Sequence, residues 1–560
     1  MIRRACPQRR FGSGMMSLFV LGALLGMPPQ RAAGQDARMI AAQFRAVRAG
    51  ERPSLADGKC GFSWAARMAT AARRATPADA QALFSLMQPA AMQADTVIGH
   101  FRIAFDSTGI DAPALLDGSG QRIPGSALAF VDSVGRIFNE VWSVEVDRMG
   151  FDPPPLAVDG YYHLTIREEG TSYYGMTNFE DPPINPGATP LRYNTNIEID
   201  NDFKGFYSSG MKGLEVTAAH EFNHAIQVGA YGFWDADVYA YELTSTWLED
   251  AVYPGVNDYF QYLNDFFTGF RAGRSFYDPT YPGYERCVWG HFLAREFGVR
   301  TMPSVWKRMA EERFLPATDA ALRALGSDLA DAFAEFAYWN YYTADRADTA
   351  RFYPEGWAYP RFVPAQEVDF IGGSASAQVS AFPLSLTMDA FAVQGDTLTT
   401  LVTNTDVASA LAASTTASAV TIKVSTGNPG VPYQVLGDGL RVGISGTDTP
   451  NWRSEYFSAS LRGDAPRMAG DPFPNPVVVN RDRQLFLPVD GAAVGQSAEV
   501  LMLSTSMNRV LQREFPVVAD RGRSGIIVPT DLLDGASSGV HFVTARIAGK
   551  AYLWKVAVIR

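Results

Sequence analysis

Alternating apolar and polar residues predict a small β-sheet in the middle of the chain. Three segments alternate with the period of two that a half-buried strand requires, namely residues 100–105, 161–166 and 196–200. Residues 127–149 instead place apolar side chains at helical spacing, and a glycine and three prolines follow soon after. Residues 212–345 are mostly helical by the same criterion. A few strands followed by many helices predict an α+β domain.

The regions on either side of this domain have different patterns. Residues 36–95 are rich in Ala, Arg, Met and Gln and carry apolar residues at helical spacing, which predicts short helices. After about residue 360 the chain becomes rich in Ser, Thr, Ala, Val and Gly, and segments such as 420–425 alternate with period two. We therefore expect two all-β sandwich modules, one over residues 361–470 and one over residues 471–560.

The first 34 residues have the pattern of a secretory signal peptide. They contain five arginines and no acid, a largely apolar run from Met15 to Met27, and small residues at 32–34. The apolar run is well short of the about 20 residues that span a bilayer, so we expect export rather than a membrane anchor. The predicted organisation is a signal peptide (1–34), a helical N-terminal segment or pro-region (35–95), the α+β domain (96–360) and the two β modules.

Composition then narrows the classes of function. The 560 residues are 47% hydrophobic, which excludes a disordered chain. The net charge of -11 gives no support for nucleic-acid binding, which requires a basic surface. Three cysteines exclude a disulfide-dense scaffold, and only Cys60 and Cys287 lie beyond the signal peptide. These two could pair in an oxidising compartment or remain buried thiols, and the sequence leaves both possibilities open.

The chemistry of the chain centres on the segment His-Glu-Phe-Asn-His at residues 220–224. Side chains four apart lie on the same face of a helix, so His220 and His224 can bind one zinc ion. Glu221 lies beside them and can act as general base toward a water that the zinc activates. A helix with two surface histidines and a glutamate is the alternative, but the pattern predicts a zinc site.

A catalytic zinc needs a third protein ligand while one position stays open. The residues after His224 lack the glycine and third histidine of a metzincin, so that arrangement is excluded. Glu242 follows at a distance that allows the first helix to end and a second helix to begin. It is a better third-ligand candidate than Asp235 or Asp237.

Glu249 lies seven residues after Glu242 and therefore on the same helical face. From there its carboxylate can hold a ligand histidine in position. A solvated helix end is the alternative interpretation for this residue.

H-E-x-x-H with Glu242 and Glu249 downstream resembles the gluzincin pattern of thermolysin-like peptidases and aminopeptidase N relatives. The blocks at 199–203 and 244–254 resemble more closely a group of secreted bacterial metalloproteases of poorly known substrate, over about residues 95–345. The resemblance implies a gluzincin catalytic domain over residues 96–360. It also implies that Tyr284 stabilises the oxyanion.

In gluzincins the strand before the zinc helix is a sheet edge that pairs with the substrate backbone. The resemblance assigns that role to Asn196, Ile197, Glu198 and Ile199. The exopeptidase motif Gly-Ala-Met-Glu-Asn of the aminopeptidases is absent, which favours an endopeptidase.

The C-terminal segment resembles a second family, the type IX secretion sorting domain. The matching segments are residues 473–476, 498–503, 539–543 and 555–560. The resemblance implies the outer-membrane secretion machinery as a partner and a location outside a bacterial cell or at its surface. Another β module is the alternative.

These patterns together predict a secreted zinc metallopeptidase that acts on proteins or peptides, with no nucleic-acid partner and no transmembrane segment. Zinc would lie on His220, His224 and Glu242, with Glu221 as general base. The chief alternative is a surface binding or adhesion protein whose zinc domain is inert. A third possibility is zinc-dependent hydrolysis of a bond other than a peptide bond.

Overall fold

The structure, a computed structural model, describes most of the chain beyond the predicted signal peptide. The described residues are 29–49, 59–170, 173–270, 273–280, 282–393, 396–436, 439–446, 449–458, 472–479, 481–489, 494–504, 509–520, 523–547 and 550–560. The signal-peptide prediction falls mainly on residues 1–28, which lie outside them. The chain divides into two compact units. Unit 1 comprises residues 1–363, 381–386 and 403–417, and unit 2 comprises residues 364–380, 387–402 and 418–560.

Unit 1 contains the helices. They are α1 (Pro29–Arg48), α2 (Phe62–Ala72), α3 (Pro77–Phe84), α4 (Ala127–Trp142), α5 (Met211–Ile226), α6 (Val238–Val252), α7 (Phe260–Gly269), α8 (Cys287–Glu296), α9 (Thr301–Met309), α10 (Phe314–Ala324), α11 (Leu329–Trp339) and α12 (Val407–Leu411). The short helices predicted before residue 95 are α1 to α3 and are confirmed. The helix predicted over residues 127–149 is also confirmed, since α4 continues as π-helix over Ser143–Met149.

A five-stranded sheet completes this unit. Its strands are β1 (Ala94–Ile98), β2 (Phe101–Phe105), β3 (Tyr162–Arg167), β4 (Gly175–Phe179) and β5 (Thr195–Asp200), in the order β1-β2-β3-β5-β4. The central strands β2, β3 and β5 run parallel, and β1 and β4 pair antiparallel with their neighbours. The three predicted strands are confirmed as β2, β3 and β5. Strand β4 was not predicted, because all five of its residues are buried and no alternation remains to detect.

The remaining strands form three further sheets and lie mainly in unit 2. They are β6 (Gln366–Asp369), β7 (Ser374–Ala381), β8 (Ser385–Val393), β9 (Asp396–Asn404), β10 (Ser418–Ser425), β11 (Gln434–Val435), β12 (Arg441–Gly446), β13 (Trp452–Ser458), β14 (Val477–Val478), β15 (Gln484–Pro488), β16 (Ser497–Ser504), β17 (Arg509–Asp520), β18 (Arg523–Pro529), β19 (Gly539–Ile547) and β20 (Lys550–Ile559). Two sheets have four strands, ordered β11-β12-β10-β7 and β13-β9-β8-β6. The third has seven, ordered β14-β20-β19-β16-β17-β18-β15.

Burial alternates along several of these strands, as in β7 and β19, because one face of each sheet covers a core. In the seven-stranded sheet that core includes Val500, Ile526 and Trp554. The coarse prediction of an α+β region followed by all-β segments is therefore confirmed. Among the described residues, no helix is both long and apolar enough to cross a membrane.

Candidate metal centre

The two histidines and the third predicted ligand meet where α5 packs against α6. His220 and His224 lie one turn apart on α5, which is buried on nearly all sides, and Glu242 lies on the second turn of α6. Nε2 of His220 is 3.1 Å from Nε2 of His224 and 3.1 Å from Oε2 of Glu242. Nε2 of His224 is 3.3 Å from the same oxygen. The structure thus brings together all three residues that the sequence indicated.

A fourth side chain joins them, the thiol of Cys60. One ligand atom from each of the four residues lies within 4.8 Å of the other three, and all four residues are buried. The group could therefore hold a metal ion. Cys60 was not predicted as a ligand, because it precedes His220 by more than 150 residues and has no metal-spaced partner near it in the sequence.

The spacing of the three predicted ligands fits a small divalent cation. Ligand atoms about 2.0–2.1 Å from a tetrahedral ion lie about 3.3–3.4 Å apart, close to the 3.1 and 3.3 Å found here. The donors are imidazole nitrogen, carboxylate oxygen and thiol sulfur, the usual set for such ions. Oε1 of Glu242 is buried and has no hydrogen-bond partner among the described residues, so a cation bound by this carboxylate would compensate an acceptor that is otherwise unpaired.

Hydrogen bonds on the far side of each histidine fix the direction in which its Nε2 points. Nδ1 of His220 lies 2.7 Å from Oε1 of Glu249, and Nδ1 of His224 lies 2.8 Å from Oε1 of Gln227. Both partners are acceptors, so each Nδ1 donates its proton to them, and Nε2 is the nitrogen that each ring directs at the cluster and could offer to a metal. Glu249 lies beside His220, the place that the helical spacing indicates, whereas no pattern in the sequence indicates Gln227.

Glu249 is itself held by a buried lysine. Nζ of Lys59 lies 2.6 Å from Oε2 of Glu249 and also pairs with Asp258. Burial lowers the pKa of Lys59, but the charges of Asp258 and Glu249 raise it overall, so the lysine is charged. A chain of buried polar contacts therefore runs from Asp258 through Lys59 and Glu249 to His220.

The carboxylates of Glu242 and Glu249 favour a positive charge at the cluster. Burial lowers the pKa of His220, but its hydrogen bonds to Glu242 and Glu249 outweigh burial and raise that pKa to about 9. For Glu242, burial acts to raise the pKa, and the neighbouring His224 and His220 lower it overall to about 2. A proton or a metal cation between these groups is stabilised by the same carboxylates.

Glu221 faces the cluster from the side of strand β4. Thr177 donates its hydroxyl to Oε2 of Glu221 at 2.7 Å, and the Cys60 thiol donates to Oε1 at 2.9 Å. The close approach of β4 to α5 depends on Gly175, where a Cβ atom would lie 3.0 Å from Cγ of Glu221 and 2.9 Å from a methyl of Thr217. The glycine thus places a sheet strand directly against the predicted general base.

Tyr284 packs against His220 and lies at the start of a 3-10 turn before α8. Its ring stacks on the His220 ring with centroids 5.9 Å apart, and Tyr262 stacks on its other face at 4.9 Å. The Tyr284 side chain is buried, and its hydroxyl has no hydrogen-bond partner among the described residues. Tyr284 therefore lies beside His220 with a hydroxyl that no acceptor in the described part of the chain uses.

The segment around Cys60 covers the site. Gly61 donates its backbone N–H to the carbonyl of Gly175 at 2.8 Å, and Tyr174 donates to the carbonyl of Lys59 at 2.8 Å. The next residue, Phe62, stacks its ring on the ring of His224 with centroids 3.9 Å apart. Cys60 and Cys287 are both free and buried, so of the two open possibilities for these cysteines the structure shows buried thiols rather than a pair.

One predicted site feature is wrong. Asn196, Ile197, Glu198 and Ile199 do not form a sheet edge, because β5 pairs with β3 on one side and with β4 on the other. Their side chains are buried, and Glu198 forms an ion pair with Arg48 of α1. The strand that ends the sheet next to Glu221 is β4.

The rival third ligands lie elsewhere. Asp237 binds the guanidinium of Arg313 and accepts the backbone N–H of Phe314. Asp235 is partly exposed, 3.9 Å from Arg74. Neither belongs to the group of ligand atoms, which leaves Glu242 as the third ligand of the predicted set.

Comparison with protein families, with curated proteins and with solved structures found no match for this chain.

Proposed function

We propose that the chain is a secreted zinc metallopeptidase of the gluzincin type that cleaves peptide bonds within proteins. The observation that carries the proposal is the convergence of His220, His224 and Glu242 on one point with Glu221 beside it. The fit of the donor spacing to a small divalent cation supports zinc. The orienting contacts of Glu249 and Gln227 support a site in which the histidines are held in advance.

The residues that would hold zinc are His220, His224 and Glu242. When bound, zinc polarises a carbonyl group and lowers the pKa of water, which is the chemistry that peptide hydrolysis needs. Glu249 and Gln227 keep the protons of the two imidazoles on Nδ1, so that both Nε2 atoms remain available as ligands.

Glu221 moves the proton in this proposal. Its carboxylate takes a proton from the attacking water and passes it to the leaving nitrogen, and Thr177 fixes Oε2 so that Oε1 is the atom that acts. Tyr284 donates its hydroxyl to the developing oxyanion, because that hydroxyl is buried beside His220 and is not committed to another acceptor.

Strand β4 is the edge on which a substrate backbone would lie. It ends the sheet beside Glu221, and a peptide added there would continue the sheet next to the catalytic residues. The absence of an amino-terminus recognition motif still favours endopeptidase action. The N-terminal pattern and the resemblance of residues 473–560 to a type IX sorting domain support export through an outer membrane.

The proposal is tested by metal analysis together with proteolysis. We expect one zinc per chain. We also expect cleavage of an unfolded protein substrate, either by the wild-type chain or by the Cys60→Ala variant, in which one ligand position would be open. Glu221→Gln should abolish cleavage and keep the zinc. Stoichiometric zinc with no Glu221-dependent cleavage in either chain would refute the peptidase proposal.

A second function is favoured by one observation, the participation of Cys60. Four protein ligands around a zinc ion are typical of structural sites, whereas catalytic sites keep one position open. On this ground the unit could be an inert zinc domain of a surface binding or adhesion protein. Glu221 argues for the enzyme, because a structural zinc site does not require a carboxylate held by Thr177 beside the ligands.

A further inference from the structure

We propose that Cys60 is a fourth metal ligand and that residues 59–61 block the substrate edge, so that the chain folds as a latent hydrolase. This inference rests on the proposed function and deepens it, because it concerns the regulation of the same site. It explains how a site with four protein ligands can still belong to an enzyme.

The first observation is the place of the sulfur atom. Sγ of Cys60 lies within 4.8 Å of the ligand atoms of His220, His224 and Glu242, close enough to be the fourth ligand of an ion that those three residues would hold and so to fill the position that a catalytic zinc keeps for water. Coordination would break the S–H bond and form a sulfur–metal bond. The proton passes to Oε1 of Glu221, which is 2.9 Å from the sulfur. The thiol would thus fill the open position while it lies in hydrogen-bond contact with the proposed base.

The second observation is the backbone on either side of the thiol. Lys59 and Gly61 form two hydrogen bonds with Tyr174 and Gly175 at the start of β4. Cys60 thereby makes a parallel bridge with Gly175, at the edge where a substrate backbone would be added. Gly61 permits this approach, because a Cβ atom there would lie 2.6 Å from Cβ of Met176. The chain therefore occupies its own substrate position.

The third observation limits what can move. Helix α2, which follows directly, buries Phe62, Ala65 and Met68 completely in unit 1. Removal of the whole N-terminal segment would expose this core. We therefore expect α2 to remain in place during activation. The part that a substrate must displace is residues 59–61 and the thiol.

X-ray absorption at the zinc edge tests the ligand directly. In the zinc-loaded wild-type chain we expect one sulfur neighbour at about 2.3 Å in addition to nitrogen and oxygen neighbours at about 2.0–2.1 Å. Cys60→Ala should lose the sulfur neighbour and keep the zinc. Cys287→Ala, the same change at the other buried thiol, should keep the sulfur. A wild-type spectrum without sulfur would overturn the inference even if the Cys60 variant failed to fold.

Hydrolysis of an unfolded protein by the same samples tests latency. Cys60→Ala should cleave it at least about tenfold faster than the wild type, since the variant has an open ligand position and its residues 59–61 are no longer held at β4 by a bond to the metal. Cys287→Ala should match the wild type. If the variant holds zinc and cleaves no faster than an active wild type, latency is refuted. If Cys60 supplies the sulfur but neither chain cleaves any protein, the ligand assignment holds and the proposed function fails.

Discussion

Replacing Glu249 with glutamine should weaken metal binding without touching a ligand. Glu249 accepts the Nδ1 proton of His220 through Oε1 and binds Lys59 through Oε2, with no solvent access to either oxygen. A glutamine can accept from only one of these donors. If the glutamine oxygen accepts the hydrogen bond from His220, the amide N–H groups point at the ammonium of Lys59, so that two hydrogen-bond donors face each other.

The expected losses of metal affinity and of stability follow from the two contacts that the substitution disrupts. Loss of a carboxylate that orients a ligand histidine costs about 10- to 100-fold in metal affinity, which corresponds to about 1.4–2.8 kcal/mol. The metal-free chain should also lose about 1.5–3 kcal/mol of stability, the usual contribution of a hydrogen bond to a charged group. Lys59 keeps Asp258 as a partner, so the chain should still fold.

Competition with a chelator measures the zinc affinity, and urea unfolding of the metal-free protein measures the stability. Glu145→Gln is the matched control. Glu145 is equally buried, and within the described part of the chain its carboxyl group accepts only from Asn223. Burial raises its pKa well above the usual range, so glutamine replaces a neutral acid. Equal zinc affinities for the wild type, Glu249→Gln and Glu145→Gln would refute the role given to Glu249.

Three further changes test other parts of the account. Gly175→Ala should lower the free energy of unfolding by about 1–3 kcal/mol, measured in urea, because the added methyl overpacks β4 against Glu221. Gly255→Ala is the control and should leave it unchanged, since a Cβ atom there meets nothing within 4 Å. Equal effects of the two changes would contradict the close approach of β4 to α5. Tyr284→Phe should lower kcat by about 10²- to 10³-fold with little change in KM or stability, and an unchanged kcat would exclude it as the oxyanion donor. Burial raises the pKa of Asp389 to about 6, above the about 3.9 of an unfolded chain, so the stability linked to this group is present below about pH 4 and is lost as the pH rises through about 6. In Asp389→Asn, the difference in the free energy of unfolding between about pH 4 and pH 8 should therefore be smaller by about 2–3 kcal/mol. An unchanged difference would contradict the raised pKa of Asp389.

The part of the site that sequence could predict is the part set by local helix geometry. His220 and His224 share a face because they are four residues apart on one helix, and Glu242 and Glu249 share a face on the next. Each of these positions follows from the period of a helix. The structure brings His220, His224 and Glu242 to one point and places Glu249 behind His220.

The rest of the site depends on contacts between distant segments. Cys60 and Lys59 reach α5 and α6 only because the N-terminal segment pairs with β4. Alternation identifies a strand but does not give its place in a sheet. The sequence therefore does not reveal that β4, which precedes β5 in the chain, lies outside β5 and ends the sheet. Fully buried strands such as β4 give no alternation at all.

In the proposed function Glu221 acts as the base of a zinc-dependent peptide hydrolase. This role is tested most directly by comparing Cys60→Ala with the double variant Cys60→Ala/Glu221→Gln at equal zinc content, because the thiol then blocks neither protein. The account predicts that hydrolysis of an unfolded protein falls by about 10²- to 10⁴-fold in the double variant. Equal rates in the two proteins, or no hydrolysis by either, would contradict it.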